Sequence, residues 1–218
     1  MTLRTLLLAV IALLLPMAAS AHPHIWMLQR VKPIVTDGKF TAVEIEWRFD
    51  PTSSENEIAV IDENKDGRFS PDEVKRLADD TLQALEKSGF MTWLNVGGKD
   101  FQPKKEELFD ARIEDPATFA PAEWDRTAGD KDTATSKPEA QKVPPQKPRN
   151  LVYTIRLALP QPVKAFTITT YDPEDFIRVD VGKGKLPQDC KLGKHPSYKS
   201  EFIPGQPVFA DTVSCKLP

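Results

Sequence analysis

Apolar and polar residues alternate along much of the chain. In FTAVEIEWRFD, Val43, Ile45, Trp47 and Phe49 alternate with Glu44, Glu46, Arg48 and Asp50. A period of two puts one face on a core and the other in water, so the stretch predicts a half-buried strand. The preceding IWMLQRVKPIV is extended as well, and TDGK, Thr36 to Lys39, carries the Asp-Gly signal of a tight hairpin joining the two. MTWLNV, a Gly97-Gly98 turn and EELFDARI continue the strand pattern, as do LVYTIRLALP, KAFTITTYD and DFIRVDVG further on.

Between Thr52 and Lys87 the period changes. Val74, Leu77, Ala78, Thr81, Leu82 and Leu85 form one stripe at helical spacing, ended by Gly89, and SENEIAVI upstream suits a helix of two turns. The expected fold is therefore α+β: a mainly antiparallel β-sandwich-like domain carrying an inserted helix-loop-helix, EF-hand-like excursion.

Composition divides the chain further. Residues 1–21, MTLRTLLLAVIALLLPMAASA, have a basic head at Arg4, an apolar run from Leu6 to Leu15 and small residues Ala19 and Ala21 at a cleavage position, which reads as a secretory signal peptide and implies a periplasmic protein. Residues 22–114 hold the hairpin, the helical excursion and the following strands. Residues 115–150 are rich in Pro, Lys, Asp, Thr and Ala, and read as a disordered insertion. Residues 151–218 return to strands of the same domain. The only two cysteines, Cys190 and Cys215, are expected to form a disulfide tying that tail in an oxidising compartment. A net charge of -3 gives no basic footprint for phosphates, so no nucleic-acid partner is expected.

Within the excursion lies DENKDGRFSPDE. An EF-hand calcium loop needs oxygen ligands at positions 1, 3, 5, 7, 9 and 12, with glycine at 6 for the sharp turn. Those places hold Asp62, Asn64, Asp66, the main-chain carbonyl of Arg68, Ser70 and Glu73, with Gly67 at the turn. SPDE is also a capping box with Pro71 at the first helical position, which explains a helix start without any metal but leaves DENKDG unexplained. No second loop is found in the sequence. A single hand in an exported protein points to a structural Ca2+ of low affinity rather than a sensor.

Cleavage after Ala21 would start the mature chain at His22-Pro23-His24-Ile25-Trp26. Two imidazoles beside a free α-amino group suit Zn2+, Cu2+, Ni2+ or Co2+, while the plain alternative is a solvated terminus that binds nothing. Pro23 has no N–H to lose, so a chelate built on deprotonated main-chain amides is disfavoured and more distant ligands are needed. Asp172 and Asp175 in YDPEDF, and His195, are the candidates.

At these residues the chain resembles a known family. AHPHIW, WRFD, the calcium-like loop, SGFMTWLNVGG and YDPEDF occur in the order found in a bacterial periplasmic domain-of-unknown-function family, number one-thousand-and-seven. Its members are often labelled periplasmic components of uncharacterised ABC-type transport systems. Such proteins are often encoded near nickel or cobalt exporters, so the resemblance implies an accessory role in divalent-metal handling beside an inner-membrane transporter. The leading expectation is thus a non-enzymatic metal-binding transport accessory acting through His22 and His24. A calcium-stabilised scaffold without transition metal is the alternative, and a copper-dependent oxidative enzyme with an amino-terminal histidine is a third. The histidine supply is too small for a catalytic triad plus a metal site.

Overall fold

A computed structural model describes residues 25–115, 149–182, 186–203 and 206–218, with no account of the side chains of 201–203 and 206. The leader, His22 and His24 lie outside these residues, as does all of the Pro-rich insertion from 116 to 148.

Strands β1 (Ile25–Thr36) and β2 (Lys39–Phe49) form the expected hairpin. Its turn uses Asp37 at φ 50° and Gly38 at φ 70°, the left-handed pair that matches strand twist. Helices α1 (Pro51–Ile61) and α2 (Pro71–Lys87) follow, then β3 (Thr92–Val96), β4 (Lys99–Phe101) and β5 (Leu108–Glu114). After the insertion come β6 (Asn150–Val163), β7 (Ala165–Thr170), β8 (Ile177–Val181), β9 (Cys190–Ile203) and β10 (Gln206–Lys216).

The strands make two five-stranded sheets, ordered β5-β6-β2-β1-β8 and β4-β3-β7-β10-β9. Their inner faces share one core. Val43, Ile45, Trp47, Ile155 and Leu157 come from the first sheet, and Leu94, Phe166, Ile168 and Val213 from the second. Phe40 meets Phe166 edge to face across the sandwich, with ring centroids 5.1 Å apart. The α+β expectation holds, and the alternation seen in β2 is the actual partition between core and outer face.

Two differences from the sequence reading have physical causes. β1 pairs in parallel with β8, Ile25 beside Ile177, because the chain crosses from one sheet to the other through YDPEDF and re-enters in the same direction as β1. And β9 with β10 forms a long ladder that no alternation announces. KLGKHPSYKS is polar, and Pro196 falls where the register slips between Asp211↔Lys194 and Phe209↔Lys199, an irregularity at a sheet edge where proline is tolerated. The Cys190–Cys215 disulfide joins directly paired residues of these two strands.

The helices close one end of the sandwich. Ile58, Ile61 and Leu77 enter the core, and α1 is three turns rather than two. The Ser54 hydroxyl donates to the Phe49 carbonyl and accepts the Leu151 amide, while the Asn150 side chain also donates to Phe49, sewing α1 to β6. Between α2 and β3, Gly89, Phe90 and Met91 all take positive φ, at 58°, 54° and 47°. At Gly89 a Cβ would meet the Gln102 side chain at 2.9 Å, and the strain at Phe90 is offset by complete burial of its ring.

Candidate metal centres

The helix-loop-helix is built as the sequence predicts. Asp62 caps the carboxyl end of α1 and opens the loop; Ser70 caps the amino end of α2 and closes it. Gly67 at φ 80° and Lys65 at φ 57° fold the chain between them. Main-chain amides converge on the acidic side chains: Asp62 accepts from the amides of Asp66 and Gly67, Asn64 from Asp66, and Asp66 from Arg68. Glu73 reaches back across the loop. Its Oε1 accepts the Glu63 amide at 3.0 Å, and its Oε2 accepts both the amide and the hydroxyl of Ser70 at 2.8 Å. Those Ser70 hydrogen bonds hold the Glu73 carboxyl below the usual carboxylate range.

Asp62 and Glu73 are each only 4% exposed. Buried carboxylates, an amide oxygen and a hydroxyl on one tight turn are an all-oxygen donor set suited to a hard cation. Among the described residues, however, no three His, Cys, Asp or Glu side chains converge as a metal cluster. Glu73 is turned into the capping box that competes for it. Outside the loop, Arg149 grips Glu55 through its guanidinium at 3.0 Å and stands 3.9 Å from the second oxygen of Asp62. These groups border a cleft of about 830 Å³ that also touches Asp66 and Glu114.

The second candidate centre is the amino-terminal edge. The first described residue, Ile25, donates its amide to the Phe176 carbonyl at 3.4 Å, so β1 begins against YDPEDF. Asp172 makes that turn: its carboxylate accepts the amides of Glu174, Phe176 and Ile177 at 2.8 to 3.0 Å, and it is 7% exposed. Asp175 sits at the tip with φ 56°. Trp26 lies beneath Arg178, whose guanidinium is 5.2 Å from the indole centroid.

Asp50, the last residue of WRFD, binds the same strand. Its amide donates to the Trp26 carbonyl at 2.9 Å, and its Oδ2 accepts the Trp26 amide at 3.1 Å. Its Oδ1 caps α1 through the Ser53 amide at 2.9 Å, and the Ser53 hydroxyl donates to Oδ2 at 2.6 Å. The Asp-Pro start of α1 was readable as a helix cap; nothing in the sequence signals the tie to Trp26, or that of Arg149 to Glu55.

His195 is linked to YDPEDF through stacked tyrosines. It lies in the irregular part of β9, where its Nδ1 accepts the amides of Ser197 and Tyr198 at 3.1 and 2.9 Å. Its ring stacks on Tyr198 at 3.8 Å, and Tyr198 stacks in turn on Tyr171. With Nδ1 accepting two main-chain amides and its ring stacked on Tyr198, His195 braces the irregular part of β9.

Comparison with known proteins gives one family match. A family model described as "Protein of unknown function (DUF1007)" matches residues 7–202. No curated protein and no solved structure matches the chain.

Proposed function

From the premise that the chain belongs to this family of unknown function, we propose that it is an exported periplasmic divalent-metal-binding accessory protein serving a nickel- or cobalt-type membrane transporter. The observation that carries this reading is the pairing of Ile25 with the YDPEDF strand. The residue preceding Ile25 in sequence is His24, so a mature terminus starting at His22 would leave the fold next to the Asp172–Asp175 turn. Imidazoles, an α-amino group and a carboxylate make a mixed nitrogen and oxygen set, suited to Ni2+, Co2+, Zn2+ or Cu2+. Asp172, whose carboxylate also builds the turn, and Asp175 are the acidic ligands of this proposal.

Asp62, Asn64, Asp66, Arg68, Ser70 and Glu73 complete the reading as a single structural Ca2+ loop. Its place supports that role: it links the two helices that close the core, and no second hand is found to couple with it. Titration of nickel, cobalt, zinc and copper into untagged mature protein, and into the His22→Ala, His24→Ala double variant, tests the proposal. Binding by the native protein alone is expected, weakening as pH falls through the imidazole range of about 6 to 7. Equal binding by both proteins, or by neither, would leave the calcium-stabilised scaffold as the better reading.

A further inference from the structure

We propose that the cleft between the two helices and the open end of the sandwich binds a neutral aromatic molecule carrying a carbonyl-type hydrogen-bond acceptor, a reading independent of the metal sites above. The cleft measures about 450 Å³ and is bounded by β1, β2, β6 and β8 on one side and by α1 and α2 on the other. That volume falls within the range of about 300 to 1,000 Å³ in which proteins hold small molecules. Trp47, Phe49 and Tyr153 supply aromatic wall, Met27 and Met91 supply thioethers, and Leu85 of α2 adds an aliphatic edge. Ring edges and polarisable sulfur favour a flat aromatic body over a branched aliphatic one.

The Tyr153 hydroxyl is the second observation. Tyr153 is only 6% exposed, and its ring packs edge to face against Phe49 and Phe109, with centroids 4.9 and 5.3 Å away. Its hydroxyl makes no hydrogen bond with any described residue. A buried tyrosine hydroxyl normally finds a partner, and leaving one unmatched costs free energy that a ligand can return. Burial, helped by the charge of Glu57, pushes its pKa well up, so at neutral pH the group is an O–H that can donate. Glu57 lines the same cleft, and none of the described lining residues is cationic. An anion would therefore enter without a counter-charge, whereas a neutral acceptor meets the one donor in the wall.

Three probes built on one ring system separate these claims. Acetylnaphthalene is neutral and has a carbonyl, naphthalene lacks the acceptor, and naphthoate is anionic. Tyr153→Phe removes the hydroxyl and nothing else. Thr81→Trp places an indole from α2 in the cleft that Thr81 lines. Binding is read by calorimetric titration of the purified protein and by the rise in Tm that a ligand confined to the folded state produces.

The native protein is expected to bind acetylnaphthalene most tightly, naphthalene less tightly and naphthoate least. Tyr153→Phe should weaken acetylnaphthalene by about two- to tenfold and leave naphthalene unchanged. Because the hydroxyl has no partner in the fold, the same variant should keep or raise the Tm of the ligand-free protein. Thr81→Trp should abolish binding of both neutral probes; should it fail to fold, the Tyr153→Phe comparison decides alone. No saturable binding by the native protein up to the solubility of the probes would overturn the proposal, as would binding that survives in folded Thr81→Trp, or naphthoate bound as tightly as acetylnaphthalene. Equal loss of both neutral probes in Tyr153→Phe, with a lower Tm, would show a purely structural tyrosine and overturn it as well.

Discussion

Glu73→Gln, in the first turn of α2, isolates calcium from mere helix capping. In the native loop, Oε1 of Glu73 accepts the Glu63 amide and Oε2 accepts the amide and hydroxyl of Ser70. Glutamine is an accepted partner in a capping box, so its single oxygen can keep the Ser70 contacts and the start of α2. What it loses is the second oxygen and the charge, which a bidentate ligand at the last loop position needs. A single loop in an extracellular module binds calcium at about 10⁻⁴ to 10⁻³ M, so about 10 mM calcium stabilises the native protein by roughly 1.4 to 2.7 kcal/mol. For a chain of this size that is a rise in Tm of about 3 to 11 °C, at about 2 to 4 °C per kcal/mol. Glu73→Gln should lose most of the rise. Differential scanning calorimetry of both proteins, in chelator and in 10 mM calcium, reads it directly (about 10 mM being saturating on this scale). An equal rise in both, or none in the native protein, would show that DENKDGRFSPDE is only a turn and a cap.

Two further outcomes follow from the packing. Replacing Cys190 and Cys215 together by serine should destabilise the protein by about 3 to 4 kcal/mol, from the loop length they close. A urea melt showing a loss below about 1 kcal/mol would mean that β9 and β10 hold without the link. On the outer face of the first sheet, the hydrogen bond from Arg156, helped by Lys32, outweighs burial and holds Glu44 below its usual carboxylate range. A depressed carboxyl contributes stability that is present above the unfolded pKa and is lost as pH falls through the folded one. Glu44→Gln should therefore cost at most about 1 kcal/mol at neutral pH, and nothing once the native carboxyl is protonated in acid. A stability difference that grows toward low pH would contradict the assignment.

The elements with strong periodicity were legible because burial wrote the pattern. Val43, Ile45, Trp47 and Phe49 face inward, and Leu77 of the α2 stripe enters the core. The turn between α1 and α2 was legible because Gly67 at positive φ and the Ser70–Glu73 capping box constrain residue types directly. β9 was not. Its hydrogen bonds come from β10 and its anchor is a disulfide, so the solvent-facing KLGKHPSYKS needed no alternation. The tie of Asp50 to Trp26 was hidden for another reason: it depends on Trp26 lying across a strand pair, a distance in space that no local spacing encodes. The sequence named Asp172 and Asp175 with His22 and His24 only as candidates, and motif order could not show that Ile25 at the start of β1 pairs in parallel with Ile177.

That pairing also orders how the protein opens. β1 and β2 are neighbours in sequence and close through a tight turn, whereas β8 reaches β1 only after the whole helical excursion, the insertion and the β6–β7 segment have intervened. Local hairpins form fast and long-range parallel contacts form late, because chain entropy has to be overcome before the contact is made. Contacts of this kind, few in number, can also open locally in the folded state. Only five residue pairs join β1 to β8, so this edge can detach while the β2–β6 core stays closed, a sub-global opening of lower free energy than unfolding. The start of β1 thus lies on a short seam that can part from β8 while its pairing with β2 keeps the strand in the fold.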